Sequence, residues 1–354
     1  GDIYNIDKTL IEGLDLIDPN IRILDQSRIG SILTGDRNAL MGGGNVHSLI
    51  IQNTNPLVVA PESLLVREGF SREDLFVCVH EQFMTETAKY ADIVLPATTF
   101  VEHDDLYIAG GHQHITFGPK LIEPIGESRS NHKVLLELSK RLGAEHKGFN
   151  MTEREIIDVT LKSSNHGSLA DLEKNGWKDV QPDFNTSHFI NGFGHKDEKF
   201  HFKPDWSEVG PDYHNMPEYP DYMNTTENTS KDFPFRLVTA PAHNYLNSSF
   251  TETSSSQKSE VKPKAKIHSN DIKKLGLQED DLVVLGNNRG KVIINVEEFD
   301  GMQEGVIIVE GIWPNEAFVG KNGINTLVGS DPVPPNGGAA FHDTAVWIKS
   351  HSKN

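Results

Sequence analysis

The sequence predicts an α/β part joined to an all-β part: a parallel-sheet, nucleotide-binding-like domain followed by a small closed β-barrel. Three observations carry this. Strand-like and helix-like segments alternate between residues 46 and 96, the mark of a parallel sheet with crossover helices. From Phe235 onward short β-prone segments follow one another between Gly, Pro and Asn turns. Between these regions, from about 146 to 234, no period holds, and Asn, Asp, Pro, His and Tyr dominate.

The elements follow in order. Val46-His-Ser-Leu-Ile-Ile-Gln52 is a short strand ending in the turn Asn53-Thr-Asn-Pro56, and Ser63 to Glu68 has helical spacing. Leu75 to His80 is a second strand, Phe83 to Tyr90 a short helix, and Asp92-Ile-Val-Leu-Pro96 a third strand stopped by proline. Residues 102–125 mix glycine, histidine and β-formers and read as a strand pair. Asn131 to Leu142 is a helix striped by Val134, Leu135, Leu138 and Leu142. Ser130 or Asn131 can cap its start, and Gly143 can end it in a left-handed conformation. A helix at about Glu153 to Lys162 and a strand near Lys199-Phe-His-Phe-Lys203 interrupt an otherwise irregular connector. In the last third, Asp281–Leu285, Lys291–Val296 and Val306–Val309 are strands, with Asn287-Asn-Arg-Gly290 joining the first two as a hairpin. Ser269 caps the helix before them and Gly276 terminates it. The domains are thus 1–145, the connector 146–234 and the barrel 235–354, with no internal repeat.

Composition excludes several classes. The 354 residues carry 33 basic against 51 acidic side chains, a net charge of −18, which argues against a nucleic-acid partner held by neutralised phosphates. The single cysteine, Cys78, lies in an apolar run and reads as a buried small hydrophobe. It leaves no internal disulfide and no four-cysteine cluster. No apolar run reaches the roughly 20 residues of a membrane span. The N-terminus lacks the basic-then-apolar layout of a secretory signal; an export signal would lie upstream of this chain, and the cytoplasm is the expected compartment. There is no Gly-x-Ser-x-Gly elbow and no Walker loop. The glycines of Met41-Gly-Gly-Gly-Asn45 precede a strand, the wrong side for a Rossmann phosphate loop.

Candidate site residues gather at strand ends and turns. Ligands collect beyond the C-terminal ends of parallel strands, where Asn53, Asn55, Glu81 and Thr85 fall. After the Leu237-Val238 strand, Thr239, Ala242, His243, Asn244, Tyr245 and Ser248 form a polar turn with no acidic residue of its own. Such a turn either exposes N–H and O–H donors to a pyrophosphate or bonds to its own backbone. Asn325 follows a short β segment, and Gly337-Gly-Ala-Ala340 allows close approach to the backbone before Phe341, His342 and Asp343 enter the last strand. His112 and His114 alternate on a strand face and, with His103 and Asp104, could hold a metal; histidine pairs in hairpins are also common without one.

Val79-His-Glu-Gln-Phe-Met-Thr-Glu-Thr-Ala88 with Ala91-Asp-Ile-Val-Leu-Pro96, the turn after Val238, and Gly323-Ile-Asn-Thr-Leu327 with its Gly/Pro-rich loop occur in one order. Together they resemble the molybdopterin oxidoreductases, the dimethyl sulfoxide reductase and formate dehydrogenase family, over the C-terminal half only. The resemblance implies a double-psi-type β-barrel that binds molybdopterin guanine dinucleotide, in a bis form with molybdenum or tungsten. It implies guanine recognition by Glu81 and Thr85, a nucleotide contact by the Asn53–Asn55 loop, and cofactor contacts from Thr239, Ala242, His243, Asn244, Tyr245, Ser248, Asn325, Phe341 and His342. The family usually carries Asp where Glu81 stands, and threonine where Val328 follows Leu327. Glu102, His112 and His114 are placed by the resemblance beside the substrate funnel. The metal-ligating residue and the iron–sulfur cysteines of the family have no counterpart here. The chain is therefore expected to be the C-terminal portion of an enzyme acting on a small molecule such as formate, nitrate or a sulfoxide, inactive alone. Its partner would be the missing N-terminal half or a separate catalytic or electron-transfer chain. The alternative is a non-catalytic binding or assembly subunit of the same fold.

Overall fold

The computed structural model describes residues 4–13, 16–209, 213–224, 227–342 and 344–351. Its strands are β1 Ser48–Gln52, β2 Phe76–Glu81, β3 Ile93–Pro96, β4 Asp105–Tyr107, β5 His114–Gly118, β6 Trp177–Asp179, β7 Phe235–Ala240, β8 Lys264–Ile267, β9 Leu282–Gly286, β10 Lys291–Glu298, β11 Val306–Glu310 and β12 Thr344–Ser350. Its α-helices are α1 Thr9–Glu12, α2 Ile29–Leu33, α3 Pro56–Val59, α4 Ser63–Phe70, α5 Glu86–Lys89, α6 Asn131–Leu142, α7 Glu153–Ser163, α8 Leu169–Asn175, α9 Phe184–Ser187, α10 Ser254–Glu260 and α11 Ser269–Leu275. Among the described residues no helix is long and apolar enough to cross a membrane.

Contacts divide the chain into two compact units, Gly1–Ile21 with Leu95–His201, and Arg22–Val94 with Phe202–Asn354. The division cuts across sequence order, because the strands at 48–94 share a unit with the barrel rather than with the hairpin that follows them.

In the second unit, β1 runs parallel to β2, from Ser48 opposite Phe76 to Gln52 opposite His80, and β3 lies on the far side of β2. Alternation decides the faces. Leu49, Ile51, Val77 and Val79 point one way and pack against Leu33, Leu57, Val66, Phe70 and Ala88, each buried aliphatic contributing about 1.5–3 kcal/mol. The opposite face is open in part, with Ile50 56%, Phe76 45% and Ile93 46% exposed but His80 buried, although parallel sheets are ordinarily covered on both faces. The expected helix at 83–90 shrinks to α5, because Thr85 is extended (ψ 170°) and caps it, its Oγ1 accepting the Ala88 amide at 3.2 Å.

The barrel is a closed ring in the order β10-β8-β11-β7-β12-β9. Two of its pairs are parallel, β7 with β11 and β8 with β10, and the rest antiparallel. Exchanging β7, β8 and β9 with β10, β11 and β12 maps this ring of neighbours onto itself, the double-psi arrangement. Leu237, Ile267, Val283, Leu285, Val292, Ile294, Ile307, Val309 and Val346 fill the interior. The α11 cap differs from expectation. His268 is the cap, its Nδ1 accepting the Asn270 amide, while Ser269 is already helical and donates its own amide to Asp300. Gly276 ends the helix at φ 66°.

In the first unit, β4, β5 and β6 form an antiparallel sheet over Ile115, Ile157, Leu161, Leu169 and Leu172. The segment read as a connector thus supplies α7, α8 and an edge strand. Ser130 caps α6 and Gly143 ends it at φ 67°. No strand forms at 199–203, where Phe200 and Phe202 are exposed.

Candidate functional site

Buried polar groups weld the α/β layer to the barrel within the second unit. The Asn325 side chain, 2% exposed, donates to the carbonyls of Val58 and Val59, both at 3.0 Å. Ser63 and Thr326 share a hydroxyl bond at 2.9 Å. Asn315 donates from Nδ2 to Leu57 O (3.0 Å) and Glu86 Oε2 (2.7 Å), accepts the Gly323 amide (2.7 Å), and gives its own amide to Glu86 Oε1 (2.6 Å). Asn55, also buried, accepts both the Thr87 amide (3.2 Å) and hydroxyl (2.7 Å), and Thr87 Oγ1 accepts the Leu57 amide. Interior amides need such partners, since an unmade bond costs about 1–3 kcal/mol. Three expected ligand residues, Asn55, Thr85 and Asn325, therefore spend these polar atoms on the protein itself.

A second set of candidates forms a rim. Asn53 is exposed in a left-handed conformation (φ 50°), its amide donating to His80 O. Glu81 ends β2 half-buried, accepting the Gln82 amide at 2.7 Å. Burial pushes its carboxyl above the usual glutamate range and Glu252 adds to the rise. Glu252 follows the turn after β7, so the end of β2 and that turn share one electrostatic neighbourhood. The turn also meets the approach to β12: Thr239 Oγ1 donates to Phe341 O at 2.9 Å and lies 3.4 Å from His342 Nδ1. Ala242 and Tyr245 are buried, and the Tyr245 ring meets Trp313 edge-on with centroids 5.0 Å apart. Burial pushes the Tyr245 hydroxyl up, with Glu260 and Glu252 contributing. His243 is exposed, and Ser248 accepts the Thr251 hydroxyl at its carbonyl, at 2.7 Å. Asp343 lies outside the described residues.

The turn is not free of acid in space. Glu260, at the end of α10, accepts the Asn244 amide (2.6 Å) and side-chain N–H (2.9 Å) on one oxygen. A groove of about 540 Å³ runs beside it, lined by Glu260, Lys262, Lys264, Lys266 and Trp313 among others. In the loop before β12, Gly337 and Gly338 adopt φ 80° and 83°, and the Gly338 amide donates to Asp25 Oδ2 at 2.9 Å. Burial pushes the Asp25 carboxyl up, but the Gly338 and Ser27 amides outweigh it and hold it below the usual range. Sequence reasoning missed Glu260, Glu252, Asp25 and Asn315. Only Asp25 had a local signal, as an Asx cap two residues before Ser27.

The first unit holds the remaining candidates. Glu102 is 4% exposed, and its carboxylate accepts the Thr99 amide and hydroxyl and the Ile125 amide. The Thr99 and Ile125 amides hold it below the usual range. His112 and His114 have rings 5.6 Å apart, and His114 packs edge-on to Trp177. His103 instead bonds Thr98 and pairs with Asp105, while Asp104 receives the Lys120 amide. Among the described residues no three His, Cys, Asp or Glu side chains gather as a metal site. Cys78 is half-buried, and burial pushes its thiol up, away from the nucleophilic thiolate.

Residues 31–141 match the family model described as molybdopterin oxidoreductase, and residues 235–345 match the molydopterin dinucleotide binding domain. The chain is 33% identical over 314 residues to the probable oxidoreductase YoaE of Bacillus subtilis (strain 168), covering 86% of this chain and 44% of that protein. It is 26% identical over 299 residues to the trimethylamine-N-oxide reductase of Haemophilus influenzae, covering 76% and 36%. The F420-dependent formate dehydrogenase subunit alpha of Methanocaldococcus jannaschii is 26% identical over 275 residues, covering 75% and 38%. Among solved structures, acetylene hydratase from Pelobacter acetylenicus has the same fold, with a TM-score of 0.73 at 18% identity over 91% of this chain and 46% of that one. The chain thus spans less than half the length of these relatives.

Proposed function

The chain belongs to the molybdopterin oxidoreductase family, and from that premise we propose that it is the C-terminal portion of a molybdenum- or tungsten-dependent bis-pterin enzyme. In this reading it binds molybdopterin guanine dinucleotide and shapes the funnel for a small-molecule substrate. The observation that carries it is the Thr239–Phe341 hydrogen bond, which joins the turn after β7 to the Phe341–His342 approach to β12.

The donor set fits the cofactor. Asn244 already offers two N–H groups to an anionic oxygen, as a phosphate requires. Glu81 is a half-buried carboxylate able to accept paired N–H groups from a guanine edge. When bound, the pterin and its metal supply the redox chemistry. The chain binds and orients: Glu81 at the guanine, with Asn53 beside it; Asn244, His243 and Ser248 at the pyrophosphate; Thr239, Phe341 and His342 along the pterin. Asn55 and Thr85 act one step behind, fixing α3 and α5, Asn325 ties the α/β layer to the barrel, and Ala242 and Tyr245 pack the base of the turn. Glu102, His112 and His114 are assigned to the funnel in the same reading.

The open face of the β1-β2-β3 sheet supports a polypeptide partner. Ile50, Phe76 and Ile93 there suit the amphipathic helices that cover the second face of an α/β sheet. The region of the longer relatives that this chain does not span is the proposed occupant, in the cytoplasm. The test purifies the chain alone and with that region supplied as a second polypeptide, then measures metal and the GMP released by acid hydrolysis. Two GMP per molybdenum or tungsten in the pair, and none with the chain alone, is the expected outcome. A pair without guanine nucleotide, or dye reduction by the lone chain at one metal per chain, refutes the proposal.

A further inference from the structure

We infer that Glu260 is an internal anion that competes with the cofactor's phosphate for the turn after β7, and so sets that turn's affinity. The inference rests on the dinucleotide reading of the turn. Both N–H groups of Asn244 converge on Glu260 Oε1, at 2.6 and 2.9 Å. Two donors aimed at one anionic oxygen are what a phosphate oxygen would otherwise receive. Glu252 acts on the Tyr245 hydroxyl beside Asn244, as Glu260 does. A phosphate arriving with Glu260 still in place would therefore meet both occupied donors and added negative charge.

Three features let Glu260 leave. Its helix, α10, buries none of its residues, so little apolar contact holds it down. The next residue, Val261, has φ 66° and ψ −68° and is 74% exposed. A β-branched residue is strained there, a cost that weighs against the conformation in which Glu260 is held. The groove beside Glu260 also carries Lys262, Lys264 and Lys266. They pair with Asp280, with Glu279 and Glu297, and with Glu310 respectively, so no ion pair with these lysines holds Glu260 in place.

Isothermal titration of the full chain with inorganic pyrophosphate and with GDP tests this. Glu260→Ala should bind both at least about tenfold more tightly than the unsubstituted chain, Glu260→Gln should fall between, and Asn244→Ala should lose binding. Hydrogen exchange at the Asn244 amide should be slow in the unsubstituted chain, fast in Glu260→Ala, and slow again with pyrophosphate. Equal or weaker binding by Glu260→Ala overturns the inference and leaves the dinucleotide reading standing. Binding of neither probe by any variant also overturns the inference, while the dinucleotide reading is decided by the GMP measured in the pair. If Glu260→Ala does not fold, Glu260→Gln carries the comparison, and affinity no greater than the unsubstituted chain's overturns the inference.

Discussion

Asn315→Ala should lower the unfolding temperature by about 8–16 °C. The side chain joins Leu57 O, Glu86 Oε2 and the Gly323 amide at 3.0, 2.7 and 2.7 Å, in a position 4% exposed. Alanine removes these partners from a buried carbonyl and a buried amide. Each orphaned group costs about 1–3 kcal/mol, so the two neutral groups give about 2–6 kcal/mol before the weakened Glu86 contact is counted. At about 4 kcal/mol, and about 2–4 °C per kcal/mol for a unit of this size, the stated range follows. Scanning calorimetry reads it, and hydrogen exchange at Gly323 locates it. Lys321→Ala, which removes an exposed pair with Glu316, is the control and should shift stability by no more than about 0.5 kcal/mol. A shift under about 2 °C for Asn315→Ala, or one equal to the control's, would falsify the claim that this side chain ties α3 and α5 to the barrel.

Glu81→Gln should stabilise the protein at about pH 7.5 and leave it unchanged near pH 3.5. The folded carboxyl is raised by burial and Glu252. Ionising it costs stability as pH climbs past the unfolded value, and costs nothing where both states are protonated. Thermal melts across that range decide it, and a destabilised variant at pH 7.5 refutes the reasoning. Asp25→Ala should cost about 1.5–3 kcal/mol and speed exchange at Gly338. Because the Asp25 carboxyl is held below the usual range, its contribution is present above the unfolded aspartate pKa and lost as pH falls through the folded one. A Gly338 exchange rate equal to the unsubstituted chain's counts against the contact.

What the sequence made legible was local. The bounds of α6 followed from Ser130 and Gly143, although Leu135 and Leu142 of its expected stripe stay 49% and 73% exposed, and the β9–β10 hairpin followed from Asn287-Asn-Arg-Gly290. The α11 cap lay one residue from its expected place because His268 and Ser269 are adjacent acceptors and only backbone angles separate them. Long-range packing was less legible. Polar residue types at Asn55 and Asn325 suggested ligand contacts, but pattern alone carries no burial, and both side chains are spent on carbonyls or a threonine. Glu260 lies 16 residues beyond Asn244, in a serine-rich helix with no motif linking the two. The compact units likewise depend on tertiary contacts that reunite Arg22–Val94 with the barrel.

The twofold exchange in the strand order of the barrel bears on how such a shape could arise. The seams between β8 and β11, and between β9 and β12, each join an element to its own counterpart. A polypeptide half as long, meeting an identical twin across a symmetry axis, would supply the same set of neighbours. The ring here does within one molecule what a symmetric pair of half-length ancestors would have done between two, and fusion would have freed the two halves to diverge.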